Sequence, residues 1–326
     1  MYNECPKRYE FHYEKKFRSK ILGSALFFGV ALDEALNVLL LSKKKKLTAK
    51  EKEEAKKSPE EVFLKHFTEV NHLGSLVEIM SYDYCQYASA DFDSSLLEDS
   101  DLEDIGQDRT YCEEFVEWFK SEIKAKKVVT QEELKLFNKM NWHSLKRKGL
   151  LILERYKEEV LPKIFEVHSI QERVHLPNQN GDSIDGIIDF TATFVDEPSK
   201  VYVCDNKTAS KAYKESDLEE SDQLHLYAYY KNMENIAYIV CEKNIRKREP
   251  RVRITIMKGT ANEDFTDNLV DNYAEVLYKL REGDFKPNYQ SGCMFFGRRC
   301  QFYDICHHGK FDDDILVCVK KESKDD

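Results

Sequence analysis

Apolar and polar positions divide this chain into two unlike halves. From Ser19 to Leu41 the stretch SKILGSALFFGVALDEALNVLLL is apolar on more than one face, which predicts a mostly buried helix. After a lysine-rich surface segment, apolar residues recur at helical spacing from about Pro59 to Met80, Tyr111 to Lys127 and Gln131 to Ile164. Thr130, with Glu133 three residues on, has the signature of a capping box at the start of the last of these. The first half is therefore expected to be largely helical.

Near Phe165 the period changes. FEVHSIQERVHL predicts a strand, PNQNGDS a turn and IDGIIDFTATF a second strand, and VDEPSK then turns into a third, VYVCDNKTA. A helix is expected over ESDLEESDQLHLYAYYKNM, strands over NIAYIVCEKN and RVRITIMKG, and a last helix from about Phe265 to Arg281. Strands with helices before and after them give an α/β or α+β core.

Composition narrows the class. With 41% apolar and 34% charged residues the chain is expected to be a soluble folded protein rather than a disordered one. No apolar run approaches the ~20 residues of a membrane span, so no membrane partner is expected. The start, MYNECPKRYEFHYEKKF, is polar and does not read as a secretion signal. A cytoplasmic location follows as an expectation, with the nine cysteines reduced or bound to metal. The formal charge of -10 speaks only weakly against a nucleic-acid partner. Much of the acid sits in one block, Ala90 to Asp108, expected to be a solvated loop or insertion, while basic clusters survive in KKKKLTAKEKEEAKK and KNIRKREPRVR.

Candidate chemistry gathers on the second and third strands. Period-two geometry puts Asp205 and Lys207 on one face of the third strand, and a hairpin with the second brings Asp189 close to Asp205. Two carboxylates held together repel unless a cation lies between them, and such oxygen ligands suit Mg²⁺ or Mn²⁺. Asn206 is a candidate contributor through its carbonyl. Lys207 would offset phosphate charge and help hold an attacking water. Asp33, inside the apolar helix, is a further candidate metal ligand, because a buried carboxylate is costly unless paired or metal-bound. Glu34 is its alternative, and Gly29 one turn earlier would permit close approach of backbone or substrate. Gln223 and Tyr227, four apart on one helical face, could touch a phosphate or support the lysine.

The cysteines form a second group. SGCMFFGRRCQFYDIC places Cys293, Cys300 and Cys306 within a short segment, and Cys5 is the attractive fourth thiol, tying the chain ends together. Four thiolates suit Zn²⁺ or an iron–sulfur cluster alike, with His307 and His308 as alternative ligands favouring zinc. The other cysteines, Cys204 among them, show no partner pattern and are expected to pack in the core or be incidental.

Taken in order, GVALDEAL, GIIDF, CDNKTA and QLHLY, bracketed by CPKRYEF and CMFFGRRCQFYDIC, resemble the PD-(D/E)XK nuclease superfamily. The nearest branch is the RecB-like exonucleases, which include CRISPR-associated iron–sulfur exonucleases and phage recombination or replication nucleases. The family's G-x-x-D, D/E-x-K and Q-x-x-x-Y fall on Gly186 and Asp189, on Asp205 and Lys207, and on Gln223 and Tyr227. The resemblance implies an α/β, restriction-endonuclease-like core with a central mixed sheet flanked by helices, after a largely helical N-terminal region. It divides the chain into 1–164, a helical region with the metal-site helix and the acidic insertion; 165–290, the nuclease core; and 291–326, a cysteine segment closing on Cys5. It further implies Mg²⁺- or Mn²⁺-dependent cleavage of DNA with accessible ends, in recombination, repair or replication, and a structural [4Fe–4S] cluster on Cys5, Cys293, Cys300 and Cys306, with Zn²⁺ as the rival. Replication or recombination proteins would be its partners. Two departures stand out: Asp33 occupies the place of the family's usual histidine ligand, and Cys293 stands further back than the usual spacing.

Overall fold

The structure is a computed structural model; it describes residues 1–19, 24–68, 92–125, 130–177, 183–246, 251–289, 293–295, 298–313 and 316–319. Parts of the expected helices at 20–23, 69–80 and 126–127, the turn at 178–182 and the centre of the second basic cluster at 247–250 lie outside them.

The chain opens with a short helix, α1 (Pro6–Tyr9), and a strand, β1 (Phe17–Ser19). Helices α2 (Ser24–Leu41), α3 (Ala49–Glu54), α4 (Pro59–His66), α5 (Asp99–Ile105), α6 (Arg109–Lys124) and α7 (Gln131–Glu159) follow. Strands β2 (Ile164–Pro177), β3 (Ser183–Phe194) and β4 (Glu197–Ala209) come next, then α8 (Glu215–Glu219), α9 (Asp222–Lys231), β5 (Asn235–Glu242), β6 (Ile254–Thr260) and α10 (Glu263–Arg281). Short strands β7 (Met294–Phe295) and β8 (Arg298–Arg299), helix α11 (Tyr303–His308) and β9 (Leu316–Cys318) complete it.

The expected α/β fold is present: a central five-stranded mixed sheet in the order β2-β3-β4-β5-β6. All its pairings are antiparallel except β4 with β5, and that parallel pair is connected through α8 and α9. Two apolar layers clothe it. On one face, Phe28, Leu32 and Leu36 of α2 and Ile152, Leu153 and Tyr156 of α7 pack on Phe190, Cys204 and Ile239. On the other, Leu218, Leu224 and Ala228 of α8 and α9 pack on Val174, Ile188, Val203 and Val240. Cys204 is thus core, on the face opposite Val203.

Local chemistry explains the element ends. The capping box at α7 is formed: Thr130 Oγ1 accepts from the Glu133 N–H at 3.2 Å and Glu133 Oε2 from the Thr130 N–H at 2.7 Å. That helix stops at Glu159, short of Ile164, because Pro162 lacks an N–H and disfavours helical geometry before it. The helix expected over 215–233 is two helices, since Ser221 leaves helical geometry to cap α9 through the Leu224 N–H.

The acidic block is not merely a solvated loop. Its described part includes α5, where Asp101, 2% exposed, pairs with Lys146 at 2.9 Å and Arg147 at 2.7 Å and accepts from His143 on α7. The chain ends are joined by strand pairing, Phe17 opposite Cys318 and Ser19 opposite Leu316, and by the Asn288 amide donating to the Glu4 carbonyl. Among the described residues no helix is long and apolar enough to cross a membrane.

Candidate active-site cleft

The site begins with a fault in the sheet. Along a regular strand, residues two apart share a face. On β3, however, Ile188 packs with the α9 layer and Phe190 with the α2 layer, so the alternation reverses at Asp189. The β3–β4 ladder ends at Phe190 opposite Cys204, and β4 continues alone beside β5, with Asp205 opposite Tyr238 and Lys207 opposite Val240. Where β3 and β4 part, the Asn206 N–H needs another acceptor. Asp189 supplies it, its Oδ2 accepting at 2.9 Å.

Asp205 and Lys207 share the face turned to α9, with an ion pair of 2.6 Å between them. Lys207 Nζ also donates to Gln223 Oε1 at 2.9 Å, and Gln223 Nε2 donates to the Tyr227 hydroxyl at 3.3 Å. That hydroxyl accepts from the Ile187 N–H at 3.2 Å, so α9 is tied back to β3 two residues before Asp189. Asn206 turns the other way, its Oδ1 accepting from the buried Tyr156 hydroxyl at 3.1 Å.

Helix α2 supplies the opposite wall. Leu26, Gly29, Val30 and Asp33 line a cleft of about 410 Å³ together with Asp189, Asp205, Lys207 and Gln223. Leu26 and Val30 are exposed at its rim although the rest of the helix is largely buried. Glu34 faces solvent. At Gly29 a Cβ would meet Thr208 at 3.7 Å, ordinary contact, so no protein group forces glycine there. A larger cavity, about 610 Å³, lies elsewhere, between Leu97, Arg147 and Arg251, and contains none of these residues.

Burial sets the electrostatics. It raises the pKa of Asp33 to about 7, with help from the charges of Asp189 and Glu34 and against the Asn37 hydrogen bond. Burial likewise raises Asp189, against the Asn206 N–H, and Asp205, where the Asp189 charge adds to it and Lys207 opposes it. Burial works against the charge on Lys207, but Asp205 outweighs it and the lysine is raised.

The expected cofactors are not supported by this geometry. Among the described residues no group of three or more His, Cys, Asp or Glu side chains is arranged to hold a metal ion. This corrects the Mg²⁺ or Mn²⁺ assignment to Asp33, Asp189, Asp205 and Asn206. Each acid already has a proton-bearing partner: Lys207 on Asp205, the Asn206 N–H on Asp189, and the Gln171 and Asn37 amides on Asp33. It equally corrects the [4Fe–4S] cluster, and the zinc alternative, on Cys5, Cys293, Cys300 and Cys306. Those four thiols border one cavity of only about 10 Å³ and are otherwise engaged. Cys5 accepts from the Asn288 N–H, Cys293 lies 3.3 Å from His307 Nε2, and Cys300 and Cys306 pack against Phe11 and Phe302.

Two residues bonded to the cleft lining escape a motif-based reading. Gln171 on β2 reaches Asp33, and Tyr156 on α7 reaches Asn206. The apolar spacing held no signal for the first: Ile170 and Val174, like Ile188 and Phe190, are an even number of residues apart, so period two places each pair on one face although the members pack in opposite layers.

A mixed sheet that opens where an Asp-x-Lys strand meets a second aspartate is the arrangement of a nuclease-type fold. The model of the PD-(D/E)XK nuclease superfamily matches residues 1–307, and the chain belongs to that superfamily. Neither the curated proteins nor the solved structures gave a match.

Proposed function

We propose that the chain hydrolyses DNA phosphodiester bonds, working from accessible ends in the manner of the RecB-like exonuclease branch. The observation that carries this reading is the run Asp205–Lys207–Gln223–Tyr227, bonded in sequence along the cleft that also holds Asp189 and Asp33. Lys207 is the one cation among the described lining residues, and its ammonium offsets charge on the scissile phosphate. Gln223 fixes that ammonium and Tyr227 fixes Gln223. Water attacks phosphorus in line, its proton passes to the Asp33 carboxylate, and the bond to one sugar oxygen breaks, that oxygen taking a proton from solvent. Burial places Asp33 at about 7, suited to accepting a proton near neutrality.

A second reading, a nuclease-derived DNA-binding subunit without turnover, is favoured by the lack of a three-ligand group among the described residues. Digestion of end-labelled linear and closed circular DNA, single- and double-stranded, in magnesium and in EDTA, separates the two. Loss of linear DNA while circles survive supports the exonuclease; cutting of circles makes it an endonuclease. Binding without cleavage in every arm supports the second reading.

A further inference from the structure

Among the described residues three non-glycines have a left-handed backbone: Lys16, Gln171 and Asn232. Lys16 follows the helical turn at Glu10–Glu14, and Asn232 caps α9, places where that conformation is routine. Gln171, at φ 50°, lies in the middle of β2. Glutamine gains nothing intrinsic from this conformation, which glycine or asparagine adopts more cheaply. Such strain persists only where the surroundings impose it.

Its position shows what imposes it. The β2–β3 ladder pairs Glu172 with Ile188 and Ile170 with Phe190, skipping Gln171 and Asp189. Both strands reverse their side-chain alternation at that step, for Ile170, like Phe190, packs with the α2 layer while Val174 and Ile188 pack with the α9 layer. The reversal lets the Gln171 amide cross to α2, where Nε2 donates to Asp33 Oδ2 at 3.1 Å. Asn37, one helical turn on, donates to the same oxygen at 3.3 Å. Asp33 Oδ1 is buried and has no hydrogen-bond partner among the described groups.

We propose that Gln171 is a positioning residue: its amide, with that of Asn37, pins one oxygen of Asp33 so that the other is presented to the cleft as the acceptor for the attacking water's proton. The inference rests on the proposed phosphodiester hydrolysis. It assigns the strain in β2 to the cleft rather than to the stability of the sheet.

The test exploits the opposition between strain and contact. Gln171→Gly relieves the backbone and deletes the amide; Gln171→Asn tolerates the backbone but is one methylene too short. Both variants are expected to melt at or above the wild-type temperature, while kcat on linear DNA falls about tenfold and KM stays within about twofold. A wild-type kcat in both variants, or a kcat loss that merely follows a fall in melting temperature, overturns the inference. If the wild-type protein does not cleave DNA, the proposed function fails by itself and thermal melting decides the positioning. The melting shift caused by Gln171→Gly is then compared in the wild-type and Asp33→Asn backgrounds. Unequal shifts uphold the pinning of Asp33, and equal shifts overturn it.

Discussion

The ring of Tyr227 rests on the backbone of Gly186, where a Cβ would lie 2.5 Å from the ring's Cε1 and 2.9 Å from its hydroxyl. Two motifs that are far apart in sequence are therefore one contact: glycine on β3 makes room for the tyrosine that holds Gln223, and through it Lys207. Gly186→Ala is expected to displace the ring and cost about 1–3 kcal/mol. In Tyr227→Ala the same change should cost much less. Denaturant melts of the two single variants and the double variant measure the coupling, and additive losses would count against the contact.

Asp33 should trade stability for its place in the cleft. Its folded-state pKa of about 7 lies above the unfolded value near 3.9, so the folded chain holds the proton more tightly. Stability is thus lost as pH rises from about 4 to 7 and changes no further above that. Asp33→Asn is expected to be more stable than wild type by about 1–2 kcal/mol at pH 8. The gain should shrink towards pH 4, which stability curves of both proteins across that range will show.

Asp101 should behave in the opposite sense. Burial disfavours its charge, yet Arg147 and Lys146 hold its carboxyl well below the usual range. Its contribution is full above the unfolded value near 3.9 and fades as pH falls through the depressed folded one. Asp101→Asn leaves Lys146 without its counter-charge and Arg147 with Glu98 alone, and is expected to cost about 2–3 kcal/mol at pH 7. Melts at pH 7 and pH 3 should show the gap narrowing in acid.

The strands were legible because period two, turn residues and β-branched runs coincide from Ile164 to Thr260, and the Asp189–Asp205 neighbourhood followed from the hairpin. Less visible was the fault at Asp189. The apolar residues on either side of it, Ile170 and Val174, Ile188 and Phe190, stay in even register along the sequence, so nothing in their spacing shows that they pack in opposite layers. Asp101 looked like part of a solvated acidic block because its cations lie some forty-five residues away on α7. For the cysteines, spacing put four thiols near one another, but spacing does not fix where each Sγ points. Cys293 turns to His307, and Cys5 to a backbone N–H.

On the proposed reading Lys207, held between Asp205 and Gln223, serves phosphodiester cleavage. The most direct test of that role is the initial rate of cleavage of end-labelled linear DNA by wild type and by Lys207→Ala, in magnesium and in EDTA, with folding of both matched by thermal melting. Wild type is expected to cleave in at least one buffer, and the variant at a rate at least about 100-fold lower. Equal rates in the two proteins, or no cleavage by folded wild type in either buffer, would contradict that reading.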